Sequence, residues 1–373
     1  MLKEQEQLLA YIEFCFPKSY EEIKNKNLIS ENLFSPFTLE IPQNIYDQVK
    51  LFVKNIYDLK NSETYQNQVP VPENFTNWPD TPSVLSCFDF HYSEDMGLKL
   101  IEINTNASLY LPLILQRCGQ ADHCIPPQFN YLLDSFTDAF NLSDGDEISI
   151  FDEVPENEGL YFEFLIFKEW LESKGYKANI ISLADFEKDS FDKIYNRYTD
   201  FYFDESKSMS VKKAYFEKEK LFSPNPKEYF LMADKKRLNL MRKFLLETDP
   251  EMAKIIPETK LFSEFDSKEE LWANRKKYFF KPSQSFGSKG AFSGKSISKK
   301  AFENIYDPQF VAQELCPAGK RDFTYQDETH TMKYDLRFFT YKGEVHNYGA
   351  RLYQGQTTNM KTPFGGLAPI KFT

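Results

Sequence analysis

Three oxygen donors stand close together in the segment FDFHYSEDMGLKLIEINTN. Asp89 lies on one apolar run, and Glu102 and Asn104 lie on the next. Glu102 and Asn104 are two residues apart, so in an extended chain their side chains point the same way. Hard oxygen donors gathered like this suit Mg2+, which keeps several waters and binds nucleotide phosphates. A solvated strand face is the plain alternative, but Leu100, Ile101 and Ile103 make it an odd one.

A second chemical feature is KPSQSFGSKGAFSGK, residues 281–295. Lys281 ends an apolar run and precedes a loop holding Gly287, Gly290 and Gly294. Small residues let successive backbone N–H groups converge on phosphate oxygens, and lysine adds a compact positive charge. Tight turns alone would use the same residues. The stretch is not a P-loop, which needs four residues between its glycines before Lys-Ser/Thr. The glycine required at position 289 is a lysine.

Two further stretches fit the same chemistry. In FVAQELCPAG an apolar strand runs into Gln313 and Glu314 and is broken by Pro317 and Gly319. Such an edge can offer backbone hydrogen bonds to an adenine ring, or be an ordinary strand end. In YDLRFFTYKGEVHNYGARL, Asp335 and Arg337 share one strand face, and Arg351 falls on the returning arm. Arginine binds phosphate or carboxylate bidentately and neutralises developing charge. The alternative is a cross-strand ion pair at the surface, worth little.

The elements that must position these residues are legible in outline. Residues 1–60 show helical periodicity at Leu8, Leu9, Ile12 and Phe16. NQVPVPENFTNWPDTP reads as a loop, and the two runs flanking SEDMG read as a β-hairpin. EISIFDEV, YFEFLIFKEWLESKG and KANIISLADF form a strand–helix–strand, hence a parallel βαβ unit. ADKKRLNLMRKFLLE reads as a helix. KKYFFKPS, QFVAQEL, YDLRFFTYKGEVHNYGARLYQ and GLAPIKF read as strands, with KGE as a hairpin turn.

Composition narrows the function class. The 373 residues carry a net charge of −11, which argues against a broad nucleic-acid surface. Aromatic residues reach 16%, with 36 Phe and 22 Tyr, as expected of core filling. The cysteines, Cys15, Cys87, Cys118, Cys124 and Cys316, are scattered with no CxxC pair. They read as reduced thiols of a cytoplasmic protein rather than a disulfide framework. The N-terminal segment is too charged for a signal peptide, and no stretch approaches the ~20 apolar residues of a membrane span.

Taken together, Lys281 with its glycine loop, the Gln313-Glu314 strand, Asp335-x-Arg337, Arg351, Asn359 and an Asp…Glu-x-Asn strand resemble the ATP-grasp ligases. The Glu-x-Asn strand comes first here, more than two hundred residues before the arginine strands. That order resembles the circularly permuted group that includes glutathionylspermidine synthetase, while the KYDLRFF…GARL…TTN stretch is also similar to glutamate ligases acting on ribosomal protein. No amidase-like Cys/His arrangement precedes the ligase region.

The resemblance implies an α/β (α+β) architecture. It has a helical region 1–84, a permuted metal-binding part 85–145, a Rossmann-like domain 146–229 and an ATP-grasp nucleotide-binding domain 230–373. It also implies that Lys235 or Lys236, Lys281, Ser285, Gly287, Ser288 and Gly290 contact ATP phosphates, and that Gln313, Glu314 and Leu315 border adenine. Asp89, Glu102, Asn104 and, as a possible addition, Asp335 would hold Mg2+. Arg337 and Arg351 would steady an acyl phosphate, with Arg197 and Asn359 at the substrate. The implied reaction joins a small-molecule or peptide carboxylate to an amine. A kinase or a non-catalytic nucleotide-binding protein would use the same clamp.

Overall fold

The computed structural model describes residues 3–69, 79–118, 127–284, 290–356 and 358–373. In chain order its strands are β1 (Leu39–Ile41), β2 (Ser86–Ser93), β3 (Gly97–Asn104), β4 (Glu147–Asp152), β5 (Lys177–Ser182), β6 (Lys193–Asn196) and β7 (Leu221–Ser223). They continue with β8 (Thr259–Leu261), β9 (Tyr278–Pro282), β10 (Phe292–Ser293), β11 (Phe310–Glu314) and β12 (Gly319–Tyr325). The last are β13 (Glu328–Tyr341), β14 (Glu344–Tyr353), β15 (Gly366–Ala368) and β16 (Ile370–Phe372). Among the described residues they form a mixed α/β structure with a six-stranded sheet, two four-stranded sheets and the parallel pair β1–β16.

The six-stranded sheet joins the two ends of the chain. Its order is β15-β14-β13-β2-β3, with β12 on the part of β13 that β2 does not reach. Both hairpins expected from the sequence form. Gly97 at φ +71 closes β2–β3, and Lys342 and Gly343, at φ +46 and +82, make the two-residue turn of β13–β14. Strand alternation then decides which side chains reach which face. Phe88, Phe90, Leu336 and Phe338 join the core beneath the helix Gln43–Asn61, which buries Ile45, Val49, Phe52, Val53 and Ile56. Phe52 meets Phe88 and Phe90 edge-on at 6.5 and 5.8 Å, so the aromatic excess is core packing here. Asp89 and Arg337, the residues between, and Asp335, just before Leu336, therefore face the opposite side.

The parallel sheet has the order β5-β4-β6-β7. The helix Tyr161–Ser173 carries the chain from β4 to β5 and ends before Gly175, whose φ of +92 suits glycine. Strand β6 then returns to the other side of β4, so the strand order reverses between β4 and β6. In open α/β sheets the carboxyl ends beside such a reversal form a ligand crevice. The other four-stranded sheet, β10-β9-β11-β8, is antiparallel and packs Phe280 and Ala312 against Phe262, Leu271 and Phe302.

Candidate active site

A bulge in the β2–β3 hairpin creates the junction on which the site depends. Asp89 pairs with Glu102 but Phe90 pairs with Leu100, which leaves Ile101 as the extra residue. The Ile101 carbonyl is thereby free of the ladder. It accepts hydrogen bonds from Lys281 Nζ at 3.1 Å and Gln313 Nε2 at 3.4 Å. Lys281 also donates to Gln313 Oε1 at 2.8 Å. The early acidic hairpin and the late lysine strand, about 180 residues apart in sequence, thus touch directly.

Around this junction lies a cleft of about 360 Å3, within the usual range for a small-molecule site. Asp89, Glu102, Asn104, Arg197, Lys235, Lys281, Gln313, Glu314, Leu315, Asp335, Arg337 and Arg351 all line it. Lys236 turns instead to Gln309, at 2.7 Å. Asn359 is exposed and accepts the Lys361 N–H at 3.0 Å, while its neighbour Thr358 reaches inward to Asp335 at 2.9 Å. Gly290 adopts φ +70, and a Cβ there would stand 3.1 Å from Pro282 Cγ, which fits its expected need for glycine. Ser285, Gly287 and Ser288 lie outside the described residues.

Register accounts for the charged core of the site. Arg337 pairs with Asp89 across β13–β2, and Asp335 pairs with Arg351 across β13–β14. Arg337 grips Asp89 with both Nε and Nη2, at 2.9 and 3.1 Å. Arg351 donates to Asp89 at 3.0 Å and to Asp335 at 2.9 Å. Burial opposes the Asp89 charge, but the two guanidiniums outweigh it and bring the carboxyl down to about 2. Asp89 and Asp335 thus spend oxygens on arginine, unlike the simple metal-ligand picture of the sequence reading. Among the described residues, no three His, Cys, Asp or Glu side chains are arranged to hold a metal.

Glu102 and Asn104 are half-buried, and the Asn104 amide donates weakly to both Asp89 and Glu102. Lys235 and Lys281 face Glu102 from the other wall. Burial lowers both lysines, and the Glu102 charge opposes the shift. Lys281 falls to about 8, and the Lys235 charge adds to its lowering. A carboxylate and an amide beside two buried cations fit a phosphate-bound Mg2+, which needs only one or two protein carboxylates.

Several site residues carry no sequence signal. The loop after β3 supplies successive carbonyls to two arginines: Ala107 O accepts from Arg197 at 2.6 Å, and Ser108 O from Arg337 at 3.2 Å. Glu163 holds that loop by accepting the N–H groups of Leu109 and Leu111, at 2.9 and 3.1 Å. Leu109 sits at φ +72, a costly conformation for leucine. Replacing Glu163 by Ala orphans these buried donors, so thermal or urea unfolding should show a loss of about 2–3 kcal/mol. His91, Asp152 and Thr358 also line the cleft. His91 was hidden because its bond to the Cys316 carbonyl, at 2.8 Å, spans 225 residues.

No protein-family model and no curated protein sequence matches the chain. Solved structures do. The apo structure of a glutathione synthetase-like effector from Globodera pallida matches with TM-score 0.52 and 15% identity, covering 100% of this chain and 98% of that one. A protein from Methylobacillus flagellatus named for gamma-glutamylcysteine synthetase gives TM-score 0.49 and 9% identity, over 86% and 84% of the two chains. Over its whole length, the chain therefore shares the fold of a glutathione synthetase-like protein.

Proposed function

We propose that the chain is an ATP-dependent carboxylate–amine ligase of the circularly permuted ATP-grasp type. The observation that carries the reading is the convergence on one cleft of Glu102, Asn104, Arg337 and Arg351 from the six-stranded sheet, Lys281 from the antiparallel sheet, Arg197 from the end of β6 and Lys235 from the turn before the helix Arg237–Thr248. In this reading residues 85–145 and 230–373 form the nucleotide clamp, and 146–229 present the substrate-facing sheet. Lys235 and Lys281 bind the triphosphate, and Gln313 to Leu315 flank adenine. Glu102 and Asn104 would hold Mg2+, which would supply charge neutralisation for the transferring phosphoryl group.

Arg337 and Arg351 lie on the same sheet face, where an acyl phosphate would form. Each spends part of its fork on Asp89 or Asp335, which fixes its plane. Preorganised cations aimed at developing charge are the main source of such catalysis. Arg197 binds the substrate carboxylate from the crevice of the parallel sheet. The partners are a small-molecule or peptide acid and an amine.

Hydroxylamine trapping tests the reading. The protein is incubated with Mg2+, ATP, hydroxylamine and a panel of amino acids and dipeptides as acids. ADP release coupled to hydroxamate formation is expected with at least one acid. A stable phosphorylated product that hydroxylamine does not consume would instead identify a kinase.

A further inference from the structure

The wall of the cleft beside Arg197 carries two acceptors, Asp152 and Asn106. Asp152 ends β4 at the point where the order of the parallel sheet reverses, and its side chain lines the cleft at only 4% exposure. Its Oδ1 accepts the Glu153 N–H at 2.7 Å. Among the described residues no lysine or arginine forms an ion pair with it, so its second oxygen is left for the cleft. Nearby, Asn106 gives its amide N–H to the Arg197 carbonyl at 2.9 Å, while its own Oδ1 is buried without a hydrogen-bond partner. Two unspent acceptors on one wall suit a ligand that donates hydrogen bonds.

This wall is tied closely to the arginine cluster. Arg197 and Arg337 bond the successive carbonyls of Ala107 and Ser108, so a single loop separates the Asp152 wall from the acyl-phosphate arginines. Resting on the ligase reading above, we propose that Asp152 is the proton acceptor for the incoming amine, which binds between this wall and the Arg337–Arg351 pair.

The groups facing Asp152 are Glu153 at its own strand end, Glu158 from the following turn and Arg197 from the end of β6. Burial, with the charges of Glu158 and Glu153, outweighs the Glu153 N–H and Arg197 and lifts the carboxyl to about 7. A base that titrates near neutrality is matched to proton transfer at that pH. The step balances. The ammonium gives one proton to the Asp152 carboxylate, and the free amine attacks the acyl carbon. The C–N bond forms, the C–O bond to phosphate breaks, and a second proton leaves with the phosphate. Asp152 then returns its proton to water.

The test separates proton acceptance from everything upstream of it. Hydroxylamine is uncharged at neutral pH and needs no base to become a nucleophile. In Asp152→Asn, ATP-dependent hydroxamate formation should stay within a few-fold of wild type. Ligation of ethanolamine to the same acid at neutral pH should fall about 100-fold, the usual scale of base catalysis, and recover as pH rises and the amine deprotonates itself. In Glu158→Gln, loss of a neighbouring negative charge should move the acidic limb of the ethanolamine profile to lower pH. Equal loss of both reactions in Asp152→Asn, or an unchanged profile, overturns the assignment. A wild-type protein that makes no hydroxamate with any acid in the panel removes the ligase reading itself.

Discussion

Asp89→Asn is expected to lose about 3–5 kcal/mol of stability at neutral pH, the usual cost of leaving a buried partner charge uncompensated. Arg337 is 5% exposed, and Asp89 takes two of its donors. Arg351 retains Asp335 in the variant, so Arg337 bears most of the effect. The pH dependence has a definite sign. The folded carboxyl titrates at about 2 against an ordinary 3.8, so Asp89 contributes stability above 3.8 that is lost as pH falls through 2. Urea unfolding of wild type should therefore show an acid limb in that window, and Asp89→Asn should lack it. A second comparison isolates the charge. The double variant Asp89→Leu/Arg337→Met removes both partners and should recover much of the lost stability, because well-packed apolar pairs often equal buried ion pairs. Equal stability of Asp89→Asn and wild type at neutral pH would show that the network does not hold the sheet.

How much of this arrangement the sequence disclosed depends on whether the deciding contact was local. Asp335 and Arg337, or Glu102 and Asn104, are two apart, so their common face follows from the pleat alone. The βαβ unit was visible through its change of period, and the KGE turn through its glycine. The partnership of Asp89 with Arg337 was not, because it depends on a register between strands 248 residues apart. The sequence reading consequently made Asp89 a metal ligand, whereas its oxygens bond two guanidiniums. The bulge at Ile101 is equally silent in sequence, since an extra residue has no signature until the partner strand is known. At the irregular turn after β14 no strand alternation applies, so nothing distinguished Thr358 from Asn359. Asp152 was part of the expected strand EISIFDEV, but its place beside Arg197 comes from a parallel pairing that aligns Phe151 with Asn196.

Lys281→Met should show the opposite balance, a large loss of function beside a gain in stability. Lys281 is 7% exposed and its charge is held at about 8 by burial against the attraction of Glu102. A phosphate nearby stabilises the protonated form, so the group suits triphosphate binding in spite of its cost to the free protein. With the charge removed, ATP-dependent hydroxamate formation should fall in kcat/KM by about 100- to 1,000-fold, the range for deleting one preorganised electrostatic contact. The stability effect has its own pH signature. The lysine binds protons less readily folded than unfolded, at about 8 against 10.5, so wild-type stability rises from pH 8 to 10.5 and carries its full penalty below 8. Lys281→Met lacks that slope. The variant's advantage in thermal unfolding should be largest below pH 8 and shrink toward 10.5. Loss of the bonds to Gln313 and Ile101 works against the gain at every pH, so the change of the difference with pH is the decisive reading. A difference that stays constant from pH 7 to 10.5 would mean that Lys281 titrates in the fold as it does in the unfolded chain, and its assignment as a buried phosphate-binding cation would fall with it.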